Sequence, residues 1–171
     1  LTQYHPFVTA HTPVQLIAHG TNKIQNEHSA SVKKQFTKNE TLRLLYVSTV
    51  LKYKHQWNLI DAVGLLRNEG ISIELHLIGG GDHNALHWMR EAIQRNNSHS
   101  KFIFYHGSLP YEETLEWYHK SDMFVFPSTC ENLPVILLEA MTVGLPIASS
   151  DRGPMPEVLK DAGLYFNPES V

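Results

Sequence analysis

Met123-Phe-Val-Phe126-Pro127-Ser-Thr-Cys-Glu131-Asn-Leu-Pro134-Val-Ile-Leu-Leu-Glu139-Ala-Met141-Thr-Val-Gly144-Leu-Pro146-Ile147-Ala-Ser149 reads as strand, loop, helix, stop and strand. The run Met123–Phe126 is apolar without alternation, as expected of a strand covered by helices on both faces. Pro134 sits where the first turn of a helix tolerates a missing donor. The pattern predicts a helix over 133–143. Gly144 follows its last apolar residue and suits a left-handed C-terminal cap. Ile147–Ser149 then reads as the next strand.

The same alternation extends back to residue 42 and on to the C-terminus. Further strand-like runs are Leu42–Val47, Ile73–Ile78, Phe102–Tyr105 and Leu164–Phe166. Helical patterns lie near 56–69, 83–96, 111–119 and 154–160, with Gly70 placed as a second glycine cap and Pro110 opening a first turn. Right-handed β-α-β crossovers place helices on both faces of a parallel sheet, so the predicted class is α/β, a Rossmann-like doubly wound parallel sheet. Ligands of such sheets bind at the carboxyl ends of the strands. That rule directs attention to Ser48–Lys54, Gly79–Asp82, His106–Leu109 and Pro127–Glu139. Residues 1–41 are of another kind, with a polar tract over Asn22–Asn39 and only Val14–Ala18 strand-like, and read as a linker.

Composition narrows the functional classes. With 14 basic and 17 acidic residues and a net charge of −3, the chain lacks the basic excess that marks nucleic-acid binding. The single cysteine, Cys130, can form no intrachain disulfide and fits a reducing, cytoplasmic setting. No apolar run reaches the roughly 18 residues of a membrane span. Eleven histidines raise the question of a metal. His83 and His87 share a helical face but lack a third ligand nearby, so a solvated face is expected and no metal is predicted.

The loop and helix start at 126–141 carry the chemistry. Backbone N–H groups at a helix start, with the positive end of its dipole, suit a phosphate. Glu131 precedes the helix and Glu139 lies within it, eight residues later. A rise of roughly 12 Å would set one acid near a sugar and the other near a ribose. Taken alone, each glutamate is more often a solvated helix charge. Their setting changes that reading: Pro127-Ser128, Glu131, Asn132-Leu133-Pro134, Leu138-Glu139-Ala140-Met141, Gly144-Leu145-Pro146, Ser150-Asp151 and Pro156-Glu157-Val158 together resemble the C-terminal domain of family 4 glycosyltransferases. That family carries two glutamates separated by seven residues.

The resemblance implies that Glu131 is the catalytic-site residue beside the transferred sugar and that Glu139 binds the ribose hydroxyls. Asn132 and Leu133 join the donor site in the same reading. Ile17-Ala18-His19-Gly20-Thr21-Asn22 is similar to the family's linker motif. Leu44–Thr49 with Lys54 resembles its first strand and phosphate loop, which implies that Lys54 contacts the diphosphate. Thr49 stands where the family commonly has Arg, so a neutral hydroxyl replaces a bidentate cation there. Gly79 and Gly80 in the loop after the second strand, and Ser108 and Leu109 after the third, fall where the family approaches the nucleotide and base. The glycines by themselves are equally consistent with a tight strand-to-helix turn.

From this resemblance the expected architecture is the C-terminal half of a GT-B fold. Residues 1–14 are expected to be a linker remnant from an N-terminal acceptor domain, and 15–171 the nucleotide-sugar-binding domain, ending before a final crossover helix. The implied partners are a nucleoside-diphosphate sugar and that acceptor domain. The implied reaction is retaining and metal-independent, with no cofactor, in the cytoplasm or peripherally at the inner face of a membrane. Two rivals share the fold class. A GT-B sugar-nucleotide epimerase is disfavoured by the Glu131–Glu139 context. A response-regulator-like module needs clustered aspartates at strand ends, where Ser48, Gly79, Gly107 and Ser128 stand.

Overall fold

The computed structural model describes residues 40–98 and 100–171. The expected Val14–Ala18 strand, the Ile17–Asn22 motif and the linker reading therefore lie outside the described residues, apart from Glu40 and Thr41. Six strands form one sheet: β1 (Leu42–Val47), β2 (Ile73–Ile78), β3 (Ile103–Tyr105), β4 (Met123–Phe126), β5 (Ile147–Ser150) and β6 (Leu164–Phe166). Every pairing is parallel, in the order β3-β2-β1-β4-β5-β6. The helices are α1 (Gln56–Asn68), α2 (His83–Asn96), α3 (Tyr111–Lys120), α4 (Val135–Val143) and α5 (Met155–Leu159), with a 3-10 turn over Lys52–Lys54.

This is the doubly wound sheet that the alternation predicted. The chain moves outward from β1 to β3, then returns to the other side of β1 through β4. Packing of α1 on α2, and of α3 on α4 and β1, follows that reversal. Right-handed crossovers place the two pairs on opposite faces. The core lies between the sheet and the helices that cover it, with Leu45, Leu75, Phe124 and Phe126 of the strands and Ile60, Met89 and Leu137 of the helices essentially inaccessible.

Element ends differ from the sequence reading by one or two residues, for local reasons. β3 starts at Ile103 rather than Phe102, where both backbone N–H groups donate to the Asn97 side chain at 3.1 Å. α4 starts at Val135 rather than Leu133, because Pro134 caps it and the Val135 N–H donates to the Leu133 carbonyl at 3.0 Å. Gly144 closes α4 at φ +79°, the left-handed cap that the glycine signalled.

Candidate functional site

The reversal of strand order lies between β1 and β4, the switch point beside which doubly wound sheets bind ligands outside the carboxyl ends of their strands. After β1 the chain makes the 3-10 turn, and His55 takes left-handed geometry at φ +51°. The turn sends Lys54 inward. Its carbonyl accepts from the buried Tyr46 hydroxyl at 3.0 Å, and the residue keeps only 6% of its surface exposed. The Lys54 ammonium donates to Glu131 Oε1 and lies 5.3 Å and 5.7 Å from the ring centroids of Tyr53 and Phe126. Glu131 is held in place by its own loop: the Thr129 N–H donates to the Tyr53 carbonyl at 2.9 Å, and His55 Nε2 meets Thr129 Oγ1 at 3.0 Å.

The two side chains of this pair are 8% and 13% exposed, so neither is the solvated surface charge that its residue type ordinarily is. Burial pushes the Tyr46 phenol far above its usual range, and the nearby Glu131 carboxylate adds to that effect. A buried ion pair of this kind needs each partner, because removing one strands the other's charge in a poor solvent.

Glu139, in the middle of α4, has a different companion. The Tyr118 hydroxyl, reaching across from α3, donates to Glu139 Oε2 at 3.1 Å. Burial raises the Glu139 carboxyl above the ordinary carboxylate range, and the Tyr118 hydrogen bond only partly offsets this. The two glutamates of the motif are thus satisfied by unlike groups, a cation for Glu131 and a phenol for Glu139.

The remaining expected residues line the same edge. Gly79 has φ +135°, and a Cβ there would come within 2.1 Å of the Ser48 carbonyl oxygen, so only glycine fits between the β1 and β2 loops. Its N–H donates to Gly107 O at 2.8 Å and its carbonyl accepts from the Tyr105 hydroxyl at 2.9 Å. A Cβ on Gly80 would lie 2.7 Å from Ser108 Oγ, which brings those two candidates together. Leu109 packs on the core. Thr49, Asn132 and Leu133 stand exposed in the loops that follow β1 and β4. The Thr49 carbonyl accepts from Gln56 Nε2 at 3.1 Å.

Two features escaped the sequence reading. Tyr118 is one; it sits on a helix whose amphipathic pattern marks it only as core. The other is a column of polar and aromatic groups under the β3 end of the site. Arg43 Nε donates to Glu74 Oε1 at 2.6 Å, His76 Nε2 lies 3.2 Å from the same oxygen, and His76 Nδ1 meets His106 Nε2 at 3.0 Å. Phe104, Trp117 and His106 stack around His76, with centroids at 4.9, 4.4 and 5.3 Å. Burial pushes both imidazoles below their usual range. Burial also acts to raise Glu74, but hydrogen bonds from Arg43 and His76 outweigh it and hold the carboxyl low. The signal available was the pair Glu74 and His76, two apart on one face of an otherwise apolar strand. His83 and His87 are exposed on α2, and His87 lies 3.5 Å from Glu91.

Among the described residues no group of three or more His, Cys, Asp or Glu side chains is arranged to hold a metal ion, and no helix is long and apolar enough to cross a membrane.

A parallel sheet with this strand order, carrying a buried lysine–glutamate pair at its switch point, meets an independent match: the family described as Glycosyl transferases group 1 fits residues 28–171. The chain belongs to the group 1 glycosyltransferases. It is 32% identical over 129 residues to the amylovoran biosynthesis glycosyltransferase AmsK of Erwinia amylovora, covering 71% of this chain and 30% of that protein. It is 33% identical over 130 residues to the O-antigen chain mannosyltransferase B of Escherichia coli, covering 74% and 33%. In fold it is similar to the Anabaena protein HepE in complex with UDP and glucose, at TM-score 0.66 and 18% identity over 76% of this chain and 35% of that one. The chain thus spans about a third of the length of these relatives.

Proposed function

We propose that these residues form the donor-binding half of a retaining glycosyltransferase. In this reading a nucleoside-diphosphate sugar lies along the C-terminal edge of the sheet. Lys54 contacts the diphosphate, Glu139 accepts from the ribose hydroxyls, Glu131 lies beside the sugar, and the backbone near Gly79, Gly80, Ser108 and Leu109 packs against the nucleoside. Asn132, Leu133 and Thr49 complete the rim. The observation that carries the reading is the buried Lys54–Glu131 pair at the β1/β4 switch point of a group 1 chain.

The pair also supplies a chemistry. Two carboxylates facing a diphosphate would repel it, and Lys54 offsets that repulsion. An ammonium has three donors, so Lys54 can serve phosphate oxygens while Glu131 turns to accept from sugar hydroxyls. As the glycosidic bond to the diphosphate breaks, negative charge grows on the phosphate, and a fixed cation there lowers the barrier. HepE has been solved with UDP-glucose, which supports a nucleotide sugar as donor. The names of the amylovoran and O-antigen relatives support a growing glycan or glycolipid precursor as acceptor. The acceptor is held by a facing domain outside these 171 residues, so the chain by itself binds donor and transfers no sugar.

A thermal-shift panel of UDP, GDP, ADP and their hexose conjugates tests the reading. Stabilisation by one base, growing as RT ln(1 + [L]/Kd), is the expected result. No shift with any member at millimolar concentration overturns it.

A further inference from the structure

We infer that Tyr118 is a positioning residue for nucleotide binding: its hydroxyl fixes one carboxylate oxygen of Glu139 and leaves the other oriented for the ribose. The inference rests on the ribose role proposed for Glu139 and adds a residue that the sequence motif does not contain.

Geometry carries it. Tyr118 is 0% exposed, and its ring packs on Phe124 of β4 with centroids 5.7 Å apart. The phenol, carried by α3, is therefore braced against the sheet. Its single O–H has two acceptors in reach, Glu139 Oε2 at 3.1 Å and the Ile136 carbonyl at 3.4 Å, and the shorter contact is to the carboxylate. With Oε2 occupied, Oε1 is the oxygen left to accept from a vicinal diol.

Tyr118 also joins two sides of the candidate site. α3 begins directly after the His106–Leu109 loop and α4 follows the Glu131 loop. The hydrogen bond crosses between them, so the ribose-facing carboxylate is referenced to the side that approaches the base. Charge supports the same role. Tyr118 is the titratable side chain that bears on Glu139, and its hydrogen bond favours the ionised carboxylate against burial, which favours the neutral acid. Burial holds the Tyr118 phenol far above its usual range, so it stays a donor at every working pH.

The test uses Tyr118→Phe, which keeps the ring and removes one oxygen, in the 171-residue chain. Calorimetric titration with UDP, GDP and ADP is run from pH 5 to 8, with a melt of each protein. The expected result is about 5- to 10-fold weaker binding of whichever diphosphate the wild-type chain takes, the upper part of the net scale of one ordinary hydrogen bond. The pH below which binding fails should also move upward, because Glu139 has lost the donor that favours its charge. A purely packing role would lower the melting temperature and leave that pH midpoint in place, which overturns the inference. Glu139→Ala separates it from the underlying reading. In that background Tyr118→Phe should cost no further affinity. If Glu139→Ala binds nucleotide as tightly as wild type, the ribose reading falls and the inference with it. If Glu139→Ala binds weakly while Tyr118→Phe keeps both affinity and midpoint, only the inference falls. If none of the three diphosphates binds the wild-type chain, both fall.

Discussion

Glu131 and Glu139 are the same side chain, eight residues apart on one strand-loop-helix segment, in opposite electrostatic situations. Glu131 is nearly buried and matched by a full positive charge. Glu139 is half-buried and matched by a neutral phenol, with its ionised form held at a cost. The difference shows that a motif can keep two identical residues for opposite physical reasons. One belongs to a charge-compensated pair. The other is hydrogen-bonded to a neutral donor, and in the proposed function its charge is directed at the ribose.

The largest expected effect that could break this contrast is on stability. Glu131→Ala should destabilise the chain by about 3–5 kcal/mol in urea unfolding, because the Lys54 charge is left buried without a partner. Replacing both partners, as Lys54→Met with Glu131→Gln, should recover most of that loss. Equal losses for Glu131→Ala and Glu139→Gln would erase the contrast.

Next in size, Lys54→Ala should weaken donor binding by roughly 1.5–3 kcal/mol, the scale of a charge-assisted hydrogen bond. Glu139→Gln should weaken the bare nucleoside diphosphate, whereas Glu131→Gln, which frees the Lys54 charge for the phosphates, should not weaken it and should weaken only the sugar-bearing donor. Equal losses of bare nucleotide in the two glutamine variants would show that the roles are not divided along the segment.

A smaller effect, of the opposite sign, concerns Glu139 and pH. Its folded carboxyl titrates above the ordinary carboxylate value, so the unfolded chain gives up this proton more readily than the folded one. That penalty on folding is absent below the unfolded value and grows as pH rises through the folded value. Glu139→Gln should therefore be slightly more stable than wild type at pH 7, and the gain should vanish near pH 4. A glutamine variant less stable at pH 7 would mean that the Tyr118 contact outweighs the burial of the charge.

The mildest test is Thr49→Arg. It adds a second cation at an exposed rim position and should tighten nucleotide binding modestly. Unchanged affinity in a titration would mean that Lys54 alone is the phosphate contact this rim accommodates.

All six strands were legible because each is a short apolar run closed by a turn residue, and Gly144 marked the end of α4 in advance. The placement of Glu131 and Glu139 near one switch point followed from the alternation and the family resemblance. What could not be read was pairing at long range. Lys54 carries no mark of burial in a loop that reads Leu51-Lys-Tyr-Lys54, and its partner is 77 residues away. The Tyr118 contact spans 21 residues and the His76–His106 contact 30. The sequence placed His83 and His87 on a solvated face, where both stand exposed, but carried no sign of the enclosure of His76, whose ring is covered by Phe104 of the neighbouring strand and Trp117 on α3. Periodicity specifies which face a residue occupies and is silent about what lies opposite.

The backbone at the sheet's C-terminal edge is tied from loop to loop. Gly79 donates to Gly107 at 2.8 Å, Val50 donates to Gly80 at 2.6 Å and bridges Gly81, and Thr129 donates to Tyr53 at 2.9 Å. Four loops from four strands are thereby one continuous rim rather than independent fingers. A surface so braced loses little conformational entropy when a ligand settles on it. It also has little freedom to fold over that ligand as a lid would. Under the proposed function, exclusion of water then falls to movement of this whole body against the acceptor-holding partner domain rather than to a loop of its own. A rim variant that loosened Val50 from Gly80 would trade a rigid jaw for a slower, adaptable one.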